Sequence, residues 1–405
     1  KSTANVCFVT SCAARGFVHV THIVPTLDQK YGGPVTSLCG FAAALQREGV
    51  GNSIFAALRE GEQVSGQAAK LADIGVEFVT VADSRGGRRQ HPQSKQELSE
   101  LIARTDVVHV HGVWEAPHAI AVDLCREGHV PYVIRPCGML SRYCLAQKRL
   151  KKWAYNQLRL KGMIRDAAAI HFTSAHEAGE APGFIPAHLQ IVETLGIDFA
   201  TLESESDDCC DVRQRYEIAP KDTLLAFLGR LHPIKGLETL LEAVQQLVAN
   251  NTDVSLLICG PAEDGYDRKL RQLVNELGLT KHVRLTGMIG RSEIRDVLSQ
   301  SDIFVLPSHH ENFGVSALEA LACGTPIVIS EHVGIECFLK TSQVGIVTRN
   351  TSSDLSGAIL KLIESPELRQ SCAANCRQVA KDVFAWNSIA QRWIRRYELL
   401  MEQVS

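Results

Sequence analysis

The sequence is poorest in the features that mark membranes, nucleic acid and metal. No run of about 18 apolar residues occurs in the 405, so no membrane-spanning helix is predicted. Acidic and basic residues nearly balance, 45 against 42, and a net charge of −3 gives no global field for nucleic acid. Thirteen cysteines are present but none forms a Cys-x-x-Cys pair, the usual zinc or redox signature. Cys209 and Cys210 are neighbours, poor geometry for a mutual disulfide, and Cys259 and Cys323 stand in apolar contexts where cysteine serves as a small hydrophobe. Reduced thiols in a cytoplasmic protein are expected. The segment NVCFVTSCAARG is too short and too broken by Cys and Arg for a signal peptide, and residues 1–16 receive no assignment.

What is there is a repeated unit: a short β-branched apolar run, a loop bearing Gly or Pro, then a helical stretch. Runs at Val18–Val24, Val107–Val110, Tyr132–Ile134, Ala168–Phe172 and Gln190–Glu193 form one series. Leu224–Leu228, Val254–Cys259, Val283–Leu285, Ile303–Leu306 and Ile327–Ile329 form a second. Helical periodicity fills gaps such as Gly236–Leu247, Asp267–Leu277 and Ser292–Gln300. Alternating strands and amphipathic helices predict parallel sheets covered on both faces. Between the series, residues 196–222 are acidic and polar and read as a linker. The length also favours two domains of roughly 200 residues each. The expected fold is therefore α/β: two doubly wound, Rossmann-like domains facing across a cleft, with ligand at the carboxyl ends of the strands.

Three loops at strand ends suit a phosphate ligand. Gly32 and Gly33 precede a helix, allowing close backbone approach and offering free N–H groups. An ordinary tight turn explains them equally well. Arg230 and Lys235 lie in LGRLHPIKGLETL, where two cations at a strand end could clamp a pyrophosphate or simply be solvated. The third loop is HENFGVSALEALACGTP from His309, with Glu311 in the loop and Glu319 about a turn and a half into the following helix. The amides of Asn312 to Val315 open toward the same space. His309 and His310 are adjacent and cannot easily chelate one ion, so no metal is expected.

With these loops in hand, residues 17–400 resemble the retaining glycosyltransferases of the GT-B fold, specifically glycosyltransferase family 4 (group 1). Glu311 to Glu319 looks like the family's E-x7-E motif, with its F-G, E-A and G-x-P companions; residues 229–236, GRLHPIKG, look like its phosphate-clamping loop. CGPAE at 259–263 and WNSIA from Trp386 also match. The resemblance implies a metal-independent hexosyltransferase moving sugar from a UDP- or GDP-sugar to a glycan or lipid-linked hydroxyl, in polysaccharide or glycolipid assembly. Arg230 and Lys235 would bind the diphosphate, Glu319 the ribose and Glu311 the transferred sugar. Pro261, Asn312, Phe313, Gly314 and Val315 would line the donor, Gly32 and Gly33 would let the first domain approach it, and His111 would stand at the reaction centre. Residues 1–198, completed by a helix at about 386–405, would face the acceptor, and 199–385 would bind the nucleotide sugar. Two departures fall in the acceptor half: Thr194-Leu195-Gly196 where P-N-G is usual, and Cys137-Gly138 where a histidine often precedes the glycine. A sugar-nucleotide epimerase of the same fold, or a non-catalytic binding protein, are the alternatives.

Residues 148–165, KRLKKWAYNQLRLKGMIR, hold seven Lys/Arg and no acid, with Trp153 and Tyr155 interleaved. Such a helix can lie on an anionic membrane, peripheral to the inner face of the cytoplasmic membrane. Equally, it can be a solvated helix whose basic side chains surround a buried stripe of Leu150, Trp153 and Leu158.

Overall fold

The computed structural model describes residues 18–28, 33–59, 62–64, 66–83, 92–199, 210–339 and 342–403. Within them, one sheet holds β1 (His19–Val24), β2 (Gly51–Arg59), β3 (Glu77–Asp83), β4 (Val107–His111), β5 (Tyr132–Arg135), β6 (Ala169–Phe172) and β7 (Gln190–Val192), in the order β3-β2-β1-β4-β5-β6-β7. A second holds β8 (Thr223–Leu228), β9 (Val254–Cys259), β10 (Val283–Gly287), β11 (Ile303–Leu306), β12 (Ile327–Ser330) and β13 (Gly345–Thr348), in the order β10-β9-β8-β11-β12-β13. All pairings are parallel. β4, β5, β6, β9, β11 and β12 are buried along their whole length, as strands with helices on both faces must be. These are two Rossmann-like α/β domains.

Each sheet reverses its strand order once, between β1 and β4 and between β8 and β11. At a reversal the outgoing loops part to opposite faces and leave a crevice at the carboxyl ends. The loops bearing the candidate residues leave Val24, His111, Leu228 and Leu306, the carboxyl ends of those four strands.

The linker expected at 196–222 is shorter than predicted. Residues 210–222 pack on the second sheet: Val212 and Ile218 are buried, and Cys210 N and Val212 N donate to Asp296 Oδ2 and Gln300 Oε1 at 3.1 and 3.0 Å. Their anchors lie some 90 residues on, beyond the reach of local pattern.

The two passages of chain between the sheets run side by side, with Ile197 bridged to Ala385. The final helix, Trp386–Glu402, then lies on the helix Gly33–Arg47 of the first sheet. Trp386 stacks on Phe41 with ring centres 5.7 Å apart. Its indole fills the space over Gly40 and Gly196, where a Cβ would come within 2.1 and 2.4 Å. Buried Glu193 grips the same helix through Arg392 at 2.9 Å and through Arg396. Burial alone would raise the Glu193 carboxyl, but the two guanidiniums outweigh it and hold its pKa below the ordinary value.

Candidate functional site

The loop after β8 turns at Gly236, in left-handed backbone (φ 68°), where a Cβ would collide with Pro307 O at 2.0 Å. Only glycine permits that approach. His309 N then donates to Ile234 O at 2.8 Å, stitching the β8 loop to the β11 loop. The result brings Lys235 Nζ into direct contact with the Glu311 carboxylate, both side chains less than a fifth exposed. The sequence motifs stand 76 positions apart; the fold makes them one ion pair.

Residues 311–313 run alongside 332–335: Glu311 N donates to His332 O, Gly334 N to Glu311 O and Ile335 N to Phe313 O, at 3.0, 2.9 and 2.7 Å. Phe313 itself points into the core against Phe338 and Phe384, so only its backbone can face a ligand. Gly314, at φ 101°, starts the helix Val315–Cys323, whose first amides have no intrahelical acceptor.

That N-terminus meets the other domain. A Cβ on Gly33 would lie 3.4 Å from Val315 Cγ2, so the helices Gly33–Arg47 and Val315–Cys323 point their positive ends at one space. Gly32 lies outside the described residues. Asn312 Nδ2 donates across the seam to Thr173 Oγ1 at 3.1 Å, and its side chain covers Gly138. Buried Glu177 organises that side. It accepts from Thr173 N, Thr173 Oγ1 and Gly138 N at 2.7, 2.8 and 2.6 Å.

Other candidates are placed differently from expectation. Glu319 does not look openly into the cleft: it is buried, with Arg291 Nη1 donating to it at 2.7 Å. Burial raises its pKa and Arg291 opposes the rise. Arg291 went unnoticed in the sequence, though it too is a cation opening a helix after a strand-end loop. Arg230 turns outward to Glu263 at 2.9 Å and is half exposed. Pro261 O accepts from Leu231 N at 2.8 Å, joining the β9 and β8 loops.

His111 sits in a buried set with His22, His109 and His171. Nitrogens of His22, His109 and His111 fall within 4.8 Å of one another, a spacing that could hold an ion. The hydrogen bonds leave no lone pair for one. Asn52 directs its amide donors at Ala42, Gln46 and Val50, so its Oδ1 faces His22 Nε2 at 3.4 Å. His22 thus donates from Nε2 and accepts at Nδ1 from His111 Nε2, at 3.1 Å. His111 Nδ1 faces Arg135 Nη1 at 3.5 Å. By the same logic His171 donates to Glu193 O at 2.9 Å, His109 donates to His171 at 3.3 Å, and Tyr397 donates to His109 at 2.7 Å. All four rings are assigned the neutral Nε2–H form. Burial first, then the neighbouring rings and Arg135, lower their pKa values, His22 to about 4. Both His111 nitrogens face protein partners at the end of β4, His22 at 3.1 Å and Arg135 at 3.5 Å.

The family model described as glycosyl transferases group 1 matches residues 211–379, and that of the glycosyl transferase 4-like domain matches 32–189. The chain belongs to the group 1 glycosyltransferases. Among curated relatives of this group, a D-inositol 3-phosphate glycosyltransferase of Actinosynnema mirum is 30 % identical over 195 residues, 46 % of either chain. That of Rhodococcus jostii is 28 % identical over 198 residues, 47 % of this chain and 44 % of its own. The matches thus span about half the length of these relatives. Among solved GT-B glycosyltransferases, Anabaena HepE in complex with UDP superposes with TM-score 0.75 at 20 % identity, covering 94 % of this chain and all of its own. Sucrose-phosphate synthase of Thermosynechococcus elongatus superposes at 0.74 and 17 %, covering 95 % of this chain and all of its own. These likenesses are of fold.

Proposed function

We propose that this group 1 glycosyltransferase moves a hexosyl unit from a nucleoside-diphosphate sugar to a hydroxyl of a glycan or lipid-linked acceptor, with retention and without a metal in the reaction. One observation carries it: Lys235 touches Glu311 where two helix N-termini face each other. Cation and amides stabilise the departing diphosphate by preorganised electrostatics, and Glu311 grips sugar hydroxyls beside it. Binding of UDP by the fold relative HepE supports a UDP-sugar as first choice of donor.

The reaction breaks the bond from anomeric carbon to diphosphate oxygen and forms one to the acceptor oxygen, whose proton passes to the leaving phosphate. A double displacement would need a free carboxylate close to the anomeric carbon. Glu311 is engaged by Lys235 and Glu319 by Arg291, which favours attack from the departing face. A thermal-shift panel of UDP-, GDP- and ADP-sugars tests the donor: the right one raises Tm by mass action, and transfer then persists in a chelator. No shift with any of them overturns the reading, and donor interconversion without acceptor marks an epimerase instead.

The acceptor side carries a membrane-facing ridge. Among the described residues, segment 148–165 forms a helix Arg149–Tyr155, a π turn Asn156–Leu160 and a helix Lys161–Arg165. Leu150, Trp153 and Leu158 are 84, 64 and 80 % exposed, whereas Leu160, Met163 and Ile164 supply the buried stripe. Exposed apolar side chains amid seven cations and no acid suit an anionic bilayer. The protein should sediment with phosphatidylglycerol vesicles and not with phosphatidylcholine ones. Leu150→Ser with Trp153→Ser should cut that binding at least tenfold; unchanged sedimentation would remove the membrane from the proposal.

A further inference from the structure

His176 and Glu180 stand one turn apart on the helix Ala175–Glu180, at the i, i+4 spacing that shares a face. His310 reaches them from the β11 loop of the other domain. His176 Nε2 and His310 Nδ1 lie 4.0 and 3.6 Å from Glu180 Oε2, and all three atoms fall within 4.8 Å of one another. The side chains are 24, 13 and 24 % exposed for His176, His310 and Glu180, a half-buried site at the mouth of the seam.

These separations are informative. At 3.6 and 4.0 Å they are longer than the longest hydrogen bond of the His22 set, 3.5 Å, and beyond the reach of a hydrogen bond. They approach the spacing of about 3.4 Å between ligand atoms set tetrahedrally around zinc at about 2.0–2.1 Å. Glu180 Oε2 is a buried atom that accepts no hydrogen bond, an arrangement that costs desolvation energy unless a cation stands beside it. The Tyr143 ring stacks on His310, centres 5.5 Å apart and planes at 20°, and fixes the plane in which its nitrogen points. The buried set around His22 has every lone pair committed; these three atoms have none committed to a hydrogen bond.

We propose that His176, Glu180 and His310 bind one divalent transition ion of the zinc type, with water completing the tetrahedron. Two imidazoles and one carboxylate are a borderline donor set suited to zinc or cobalt and not to magnesium or calcium. The ion stands apart from the transfer chemistry and is independent of that assignment. It would tie the Ala175–Glu180 helix to the loop that carries Glu311 and Asn312, fixing the two domains together next to the donor grips.

The metal-depleted 405-residue chain should take up one equivalent of Zn²⁺ in a calorimetric titration. With Co²⁺ it should show the visible bands of a tetrahedral ion, without the near-ultraviolet charge transfer of thiolate ligands. That control matters because ten free cysteines lie among the described residues. His176→Ala, His310→Ala and Glu180→Gln should each weaken binding at least tenfold while circular dichroism stays unchanged. Absence of stoichiometric uptake by the parent protein overturns the proposal. So does uptake that survives in both His176→Ala and His310→Ala, or that carries the thiolate signature.

Discussion

Lys235→Ala will lower kcat for glycosyl transfer about 10²–10³-fold, the usual cost of removing one preorganised donor from a developing oxyanion. Lys235 is held in place by the Gly236 turn and by the bond from His309 N to Ile234 O, so its charge does not have to be reorganised during the reaction. Its loss also leaves the Glu311 carboxylate half-buried and without its cation, so KM for donor should rise as well. Lys235→Arg keeps the charge but moves it, and should recover only part of the rate. Lys235→Ala should also lower Tm, because it leaves a carboxylate less than a fifth exposed without its cation, whereas Lys235→Arg should leave Tm nearly unchanged. A Lys235→Ala enzyme retaining more than a tenth of the parental kcat would show that the diphosphate is stabilised elsewhere, with Arg230 or Arg291 the next cations to test.

The second large effect is on stability against pH. His22 and His118 have pKa values of about 4, lowered first by burial, and His109, His111 and His171 lie well below the ordinary value. An unfolded histidine titrates near about 6.5. The folded state therefore binds fewer protons than the unfolded chain below that pH, and acid favours unfolding. The stabilisation is complete above pH ~6.5 and is lost as pH falls toward about 4. For His22 and His118, the fall from about 6.5 to about 4 corresponds to roughly 3 kcal/mol at each ring. The clustered rings are coupled, so these amounts do not add. Tm measured from pH 8 to 4 should be level above 7 and fall steeply below 6.5. His118→Leu, which removes one of these buried rings, should make that fall shallower. A Tm that held level to pH 4.5 would assign acid unfolding to carboxylates instead.

The legible part of the fold was the part whose physics is local. Central strands such as β4 and β9 are continuous apolar runs because both faces are covered. The unanticipated strands are β2, β3 and β13. SIFAAL in β2 carries alanines that suit helix equally well, while β3 and β13 are edge strands with little burial to enforce a pattern. The site was legible to the same depth. Strand-end placement pointed to Lys235 and Glu311, but their contact depends on Gly236 fitting against Pro307. The basic stretch at 148–165 was plain, yet the buried stripe moved to Leu160, Met163 and Ile164, past a π turn that no 3.6-residue period anticipates. The buried histidines did leave a signal: a polar residue at the centre of a strand such as VVHVH has to find partners inside the protein.

The bridge between Ile197 and Ala385 has a mechanical consequence. A single tether between two bodies lets them swivel freely, whereas two tethers lying side by side and pinned to each other by this bridge act like a leaf hinge whose axis is the line across both passages of chain. Rotation about the line through the pin stays soft, and sliding or twisting of one half over the other is resisted. Opening of the crevice would then be a swing that carries Asn312 away from Thr173 along one arc, and the return swing would bring the ends of the two helices back into the same register each time.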